Sequence, residues 1–500
     1  MNNSFIKNEL QNSKNIASNS NEFKAPLWLY LWTNFILIME KHILSKSTYI
    51  KGEQCLKQLF LHKKRAFLRD RMPAERLAIF SRGTNVGIYA QELFPGGIDA
   101  GPKHPSQYRK AVIKTTELIK AGQEVIYEAA FQANKTLILL DILVKNGDKW
   151  DAYEVKSSKA LSETYYKDAA LQYYVLINAG IKINAFSLIH IDKNYIRNGE
   201  IEKDKLFITT DVTEEVKKRY NKVEENINNQ IEVLGGAHSP KIEIGKHCFE
   251  PYDCDFIGHC WKGLKKPSVF DIPSIVYDDK FEYLKQSKEL STLLDEEKLN
   301  KTQKLQINSQ LNKSSFLVLS DSTKERLEKL NTDTTYAVKV LHFLPALPLF
   351  NNTKPYQLLA FAYAVTPINA GETQIFISDG KNNPSKEIVN KLKAINKDYS
   401  FVTYNNKCKE IDSFDLKELC LNNEYYHPAM KKDFSNKELS TSLGIKPAWK
   451  SIESDIVAAQ YYDEILRGHK KSEDKLVALN KYLIKELNLI KVFYKYVTNI

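Results

Sequence analysis

The chain has 500 residues, 43% of them hydrophobic and 27% charged, and a formal net charge of +11. This is an ordinary globular composition in a chain long enough for more than one domain. Six cysteines with no export-type ladder exclude a disulfide-stapled secreted domain and point to a reducing compartment, hence a cytoplasmic protein. The positive charge admits a polyanionic partner such as DNA, and equally the solvated faces of lysine-rich helices.

Residues 1–24 are rich in Asn, Ser and Lys and read as disordered, and Ala25–Met39 is an apolar, aromatic run. At about fifteen residues the run falls short of the roughly twenty that span a bilayer, and no small-residue cleavage site follows it. Residues 1–44 are therefore expected to be a disordered or extraneous extension, residues 1–38 through an over-long start, and no membrane segment is expected.

Helical periodicity runs from Ser106 to Ala121 and stops at Gly122, a good C-cap. Gln123–Ala133 reads as a strand. Two apolar runs then flank Asn146-Gly147, a dipeptide suited to the positive φ angles of a tight turn, which predicts a hairpin. Leu161–Ala179 reads as a helix ending at Gly180, and Ile181–Ile191 as another strand. On the hairpin, Glu154 and Lys156 are two residues apart and share a face, with Asp141 arriving from the partner strand. Two carboxylates can hold a hard divalent cation, which polarises a phosphoryl oxygen and acidifies a water. A lysine beside them can orient that water or offset charge in the transition state. The bland alternative is a solvated hairpin, since an acid followed by E-x-K occurs in any charged protein.

Cys248, Cys254 and Cys260 are evenly spaced, and Cys55 lies far upstream. Taken alone they are open to reading as a core thiol plus a zinc knuckle using His247 or His259. Cys408 and Cys420 read as buried free thiols. Residues 263–334 are charged and read as a helical connector, which residues 335–500 follow.

The order helix, three strands, helix, strand, with Asp141, Glu154 and Lys156 so placed, resembles the core of the PD-(D/E)XK nucleases. The likeness is to the RecB-like branch that includes the CRISPR-adaptation nucleases. It implies an α/β nuclease domain over residues 45–262 that cleaves DNA with Mg or Mn held by Asp141 and Glu154, Lys156 positioning the water. Gln172 matches a helical Gln that orients substrate or water, and Glu128 an acidic residue that supports the site. Where many relatives carry a metal-ligating His on an early helix, Gly87 or Tyr89 stands here. One cysteine before the core and three after it imply a 4Fe-4S cluster on Cys55, Cys248, Cys254 and Cys260, an iron-sulfur staple, with Zn the alternative.

The segments beginning at Tyr336, Lys354 and Tyr425 resemble the second half of a bacterial family that joins such a nuclease to a DnaQ-like, RNase H-fold exonuclease domain. That domain needs an opening D-x-E pair, and here the positions are Lys339 and Leu341; Asp415 and Glu486 are the best matches to later carboxylates. The resemblance thus implies a catalytically dead second domain kept for folding, protein-partner contact or nucleic-acid binding. The whole reads as a metal-dependent DNA nuclease of repair or mobile-element defence, against the rival of a non-catalytic nucleic-acid-binding or scaffold protein. On the first reading, a chain ending near Lys262 should still cut DNA if it stays soluble.

Overall fold

The computed structural model describes residues 41–330, 332–445, 452–468 and 471–499, without the side chains of residues 80–85. The expected N-terminal extension and its apolar run therefore lie almost wholly outside the described residues. No described helix is long and apolar enough to cross a membrane.

The chain is mixed α/β, with two main sheets. The first contains β1 (Leu44–Ser45), β2 (Ile98–Asp99), β3 (Val125–Ala133), β4 (Thr136–Asn146), β5 (Lys149–Lys156), β6 (Ile183–Ile191) and β7 (Phe207–Asp211). Strands β2 to β7 lie side by side in chain order, and β1 runs parallel to β4 on its β5 side. The β4–β5 hairpin forms as expected, with a one-residue difference in its turn. Asn146 still pairs with Lys149, so the two turn residues are Gly147 and Asp148. Gly147 has φ +61°, the first central position of a type II′ turn, where only glycine is free of strain.

Helices α1 (Lys46–Gln54), α2 (Leu56–Lys64), α3 (Ala74–Gln91), α4 (Tyr108–Lys120), α5 (Glu163–Asn178) and α6 (Tyr220–Gly235) surround this sheet. Gly122 and Gly180, at φ +82° and +81°, follow α4 and α5 as their sequence signals predict. Period-two alternation sorts β5: Ala152 and Glu154 are buried on one face, while Tyr153 and Val155 join an apolar cluster on the other. The Asp168–Gln172 stretch of α5 lies on the Glu154 face, as its contacts with Lys156 show. Val86 and Ala90 of α3 belong to the Tyr153 cluster.

The connector is less purely helical than its composition predicts. It holds α7 (Tyr277–Lys285), α8 (Lys301–Asn312), a short helix Asp321–Glu328, several single turns, and strand β8 (Phe316–Leu317), which pairs with Tyr425–Tyr426 far downstream. It has a small core of its own around Ile272, Leu293 and Ile307.

The second sheet contains β9 (Thr335–Phe343), β10 (Leu359–Pro367), β11 (Gln374–Ile377), β12 (Ser400–Thr403) and β13 (Phe414–Asp415). Its spatial order is β11-β10-β9-β12-β13, with β9 to β11 an antiparallel meander and β12 and β13 parallel to β9. Helix α9 (Pro384–Asn396) covers one face; α10 (Asp455–Leu466) and α11 (Ser472–Thr498) cover the other.

Leu44–Ile500 is one compact unit, and its two sheets share core. Ala346 and Leu347, in the loop between β9 and β10, are buried in the cluster formed by Tyr153, Val155, Ile189 and Ile191, with Tyr356 packed beside them. The Arg197 guanidinium donates to the carbonyls of Pro348 and Leu349, at 3.2 and 2.7 Å, and the Tyr356 hydroxyl donates to the Ser157 carbonyl. Burying one leucine is worth about 2 kcal/mol. A chain ending near Lys262 would open this cluster directly behind Glu154 and Lys156 and expose its apolar side chains to water.

Candidate functional site

The site forms where the hairpin splits. The β4–β5 ladder ends at Ile142–Tyr153, although β5 stays paired with β6 as far as Lys156–His190. Beyond the split, β1 takes the freed edge of β4, with Leu44 opposite Thr136 and Ser45 opposite Leu137. Asp141 stands at the fork, and its Oδ2 accepts from the backbone N–H of Val155 at 2.6 Å, where a ladder carbonyl would otherwise sit. Glu128 on β3 interrupts its own ladder at the same level, with φ +50°.

Four carboxylates and two ammonium groups gather at the fork: Glu128, Asp141, Glu154 and Asp168 with Lys46 and Lys156. Glu154 is 2% exposed. Its Oε1 accepts from Lys46 and Lys156, each at 2.7 Å, whereas its Oε2 is buried with no hydrogen-bond partner. Lys156 also donates to Asp168 Oδ2, and Gln172 Nε2 donates to Asp168 Oδ1 at 3.4 Å.

The two expected metal ligands are driven in opposite directions. Burial, then the charge of Glu154, holds the Asp141 carboxyl well above the usual carboxylate range. Burial acts on Glu154 in the same sense, but the Lys156 and Lys46 ammonium groups outweigh it and pull Glu154 well below its ordinary value. Burial and nearby negative charge likewise raise Glu128. The fork thus holds four carboxyl groups against two lysines, two of the four raised by burial and by their neighbours' charge.

Asp141, Glu154 and Lys156 are brought together as their spacing predicts. Gln172 is fully buried; its Nε2 reaches the group through Asp168, and its Oε1, like Glu154 Oε2, is buried with no hydrogen-bond partner. Gly87 and Tyr89 lie on α3, and Tyr89 packs into the apolar cluster behind β5, so neither replaces an imidazole ligand. Sequence reasoning missed Lys46 and the role of Asp168. Asp168 was within reach, being four residues before Gln172 on one helical face; Lys46, 108 residues from Glu154, has no sequence signal.

Cys55 separates α1 from α2, Cys248 lies in a single turn of helix, and Cys260 ends a short helix. Together with Cys254 these three line one small pocket walled by Phe256, Ile257 and Trp261. Burial pushes the Cys254 thiol up to about 12 and raises Cys55 and Cys260. Cys408 and Cys420 are buried elsewhere, as free thiols. Among the described residues, no three His, Cys, Asp or Glu side chains are arranged to hold one ion as they stand.

The second sheet carries a contrasting group. Lys339 is 3% exposed; its ammonium lies 2.9 Å from Asp455 Oδ1 and 3.6 Å from Glu486 Oε2, and Leu341 beside it is fully buried. The Tyr482 hydroxyl donates to Asp455 at 2.9 Å, and Asn436 donates to Glu486. Asp415 instead accepts from the backbone N–H groups of Asn405, Asn406 and Lys417 and fastens a turn. The carboxylate that accompanies Glu486 here is therefore Asp455, which the sequence comparison did not pick out. Scans of the chain against protein-family models and against curated protein sequences find no match.

Proposed function

We propose that the first half is a metal-dependent deoxyribonuclease with a PD-(D/E)XK-type core, and that Asp141 and Glu154 hold Mg²⁺ or Mn²⁺. The observation that carries this reading is the divided Glu154 carboxylate. One oxygen is held by two ammonium groups, while the other is buried and bare beside a carboxyl that burial and repulsion raise above the usual carboxylate range. A bare buried acceptor is costly unless something binds it, and hard oxygen donors fit a divalent cation. When bound, that cation supplies the charge that polarises a phosphoryl oxygen and acidifies a water.

The protein's own part is positional. Asp168 and Gln172 hold the Lys156 ammonium against Glu154, where it can orient the attacking water. The Asp141 bond to Val155 bridges the two strands at the fork and fixes the Asp141 carboxyl beside Glu154.

The shared pocket of Cys55, Cys248, Cys254 and Cys260 supports a 4Fe-4S cluster that staples α1 and α2 to the segment after the core. The meander with two added parallel strands supports an RNase H-like reading of the second half. Its Lys339 stands where a metal would be needed, so we assign that half no catalysis.

The test is anaerobically purified protein incubated with labelled single- and double-stranded DNA and Mn²⁺, beside Glu154→Ala. Cleavage by the first and not the second supports the reading; equal absence from both leaves the non-catalytic nucleic-acid-binding alternative. Brown protein with broad visible absorption supports the cluster, and colourless protein with stoichiometric zinc replaces it.

A further inference from the structure

We propose that Lys46 is a second catalytic cation of this site, meeting the scissile phosphate while sharing Glu154 with the metal. The inference rests on the nuclease reading above. Lys46 is the first residue of α1, the end of a helix where the dipole disfavours positive charge. The helix start is already satisfied by Ser45 and Thr48, whose side chains and backbone bond reciprocally. Nothing in the helix itself calls for a lysine there.

The ammonium instead turns into the fork. It lies 2.7 Å from Glu154 Oε1, the same oxygen that Lys156 takes, and 3.8 Å from Asp168 Oδ2. The two lysines are not equivalent. Lys156 is held from behind by Asp168, and its side chain is 13% exposed; that of Lys46 is 30% exposed and has the weaker hold on Asp168. A phosphate entering from solvent therefore meets Lys46 first, while Lys156 stays fixed to its carboxylates.

Hydrolysis of a phosphodiester forms a bond from the water oxygen to phosphorus and breaks one P–O ester bond. The electron pair leaves on the ester oxygen, one water proton passes to solvent, and the departing alkoxide takes up a proton in turn. Negative charge on the phosphoryl oxygens grows toward the transition state, and an ammonium beside them stabilises it without changing its own protonation. Until the phosphate arrives, the same ammonium competes with the divalent cation for Glu154.

These two roles have opposite effects in one variant. Lys46→Met should bind Mn²⁺ at least about tenfold more tightly than wild type, because a competing positive charge is gone. Its kcat on a labelled oligonucleotide should fall by about 100-fold, the scale of one lost transition-state donor. Lys46→Arg, which keeps the charge, should recover most of kcat. Binding is read by the paramagnetic signal of free Mn²⁺, independently of cleavage, and folding by the melting temperature of the metal-free protein. Lys46→Met that cuts at the wild-type rate, or that binds Mn²⁺ more weakly and melts early, overturns the proposal. Wild-type protein that neither binds Mn²⁺ nor cuts removes the nuclease reading together with this one.

Discussion

The fork of the first sheet and the buried group of the second are both built from lysines and carboxylates, yet they are balanced differently. At the fork, two ammonium groups face four carboxylates, one oxygen of Glu154 is bare, and Asp141 is raised. In the second group Lys339 faces Asp455 and Glu486, and Lys485 lies 3.9 Å from Glu486, so two ammonium groups match two carboxylates; Lys339 is raised and Asp455 lowered, each by the other's charge acting against burial. The first arrangement is short of one cation, whereas the second has a covalently attached one. A fixed ammonium can complete a buried acidic cluster for folding, but it cannot be exchanged for Mg²⁺ or polarise a substrate.

The largest contrast lies in catalysis. Glu154→Ala should lower cleavage by at least about a thousandfold, since it removes a metal ligand and the anchor of two lysines. Asp415→Ala and Glu486→Ala should cut within a few-fold of wild type in the same assay. Residual cleavage in Glu154→Ala that vanishes with Glu486→Ala would reverse the assignment of the two halves.

Stability gives the next contrast. Lys339→Met strands the buried Glu486 carboxylate and the half-buried Asp455 and should cost about 3 kcal/mol in denaturant unfolding. Replacing Lys339, Asp455 and Glu486 together by apolar residues of like volume should recover most of that loss, since no unpaired charge remains. If the triple variant is no more stable than the single one, the second group is held by something besides charge balance.

The smallest effect has the opposite sign. Asp141→Asn should stabilise the metal-free chain by about 1 kcal/mol at neutral pH, by relieving carboxylate repulsion, while weakening Mn²⁺ binding. Asp141 holds its proton more tightly folded than unfolded, so the wild type pays a penalty at neutral pH that fades as pH falls and is gone by about 3.8. The advantage of Asn should therefore shrink on acidification. Asp455, lowered by Lys339, behaves in reverse: its contribution is complete above 3.8 and is lost only below that pH. Urea melts from pH 7 to 3.5 separate the two behaviours.

What the sequence made legible was local. Period-two spacing put Glu154 and Lys156 on one face, and Gly122, Gly147 and Gly180 marked two helix ends and a turn within a residue or two of where they lie. The unseen parts were those made by distant segments. Lys46 reaches Glu154 only because β1 takes over the edge that β5 leaves, and Asp455 reaches Lys339 only because α10 crosses the face of β9. Neither placement leaves a pattern along the chain, since both depend on which sheet edge is free after the rest has folded.

The loop carrying Ala346, Leu347 and Tyr356 couples the fate of the two sheets. Val155 and Ile189 pack in one cluster with side chains that belong to the other half of the chain, so opening the first sheet there also breaks contacts of the second. Their amide hydrogen exchange should follow that of β9 and β10. Heating should likewise produce one calorimetric peak for residues 44–500, because the loop after β9 closes the wall behind β5 and β6.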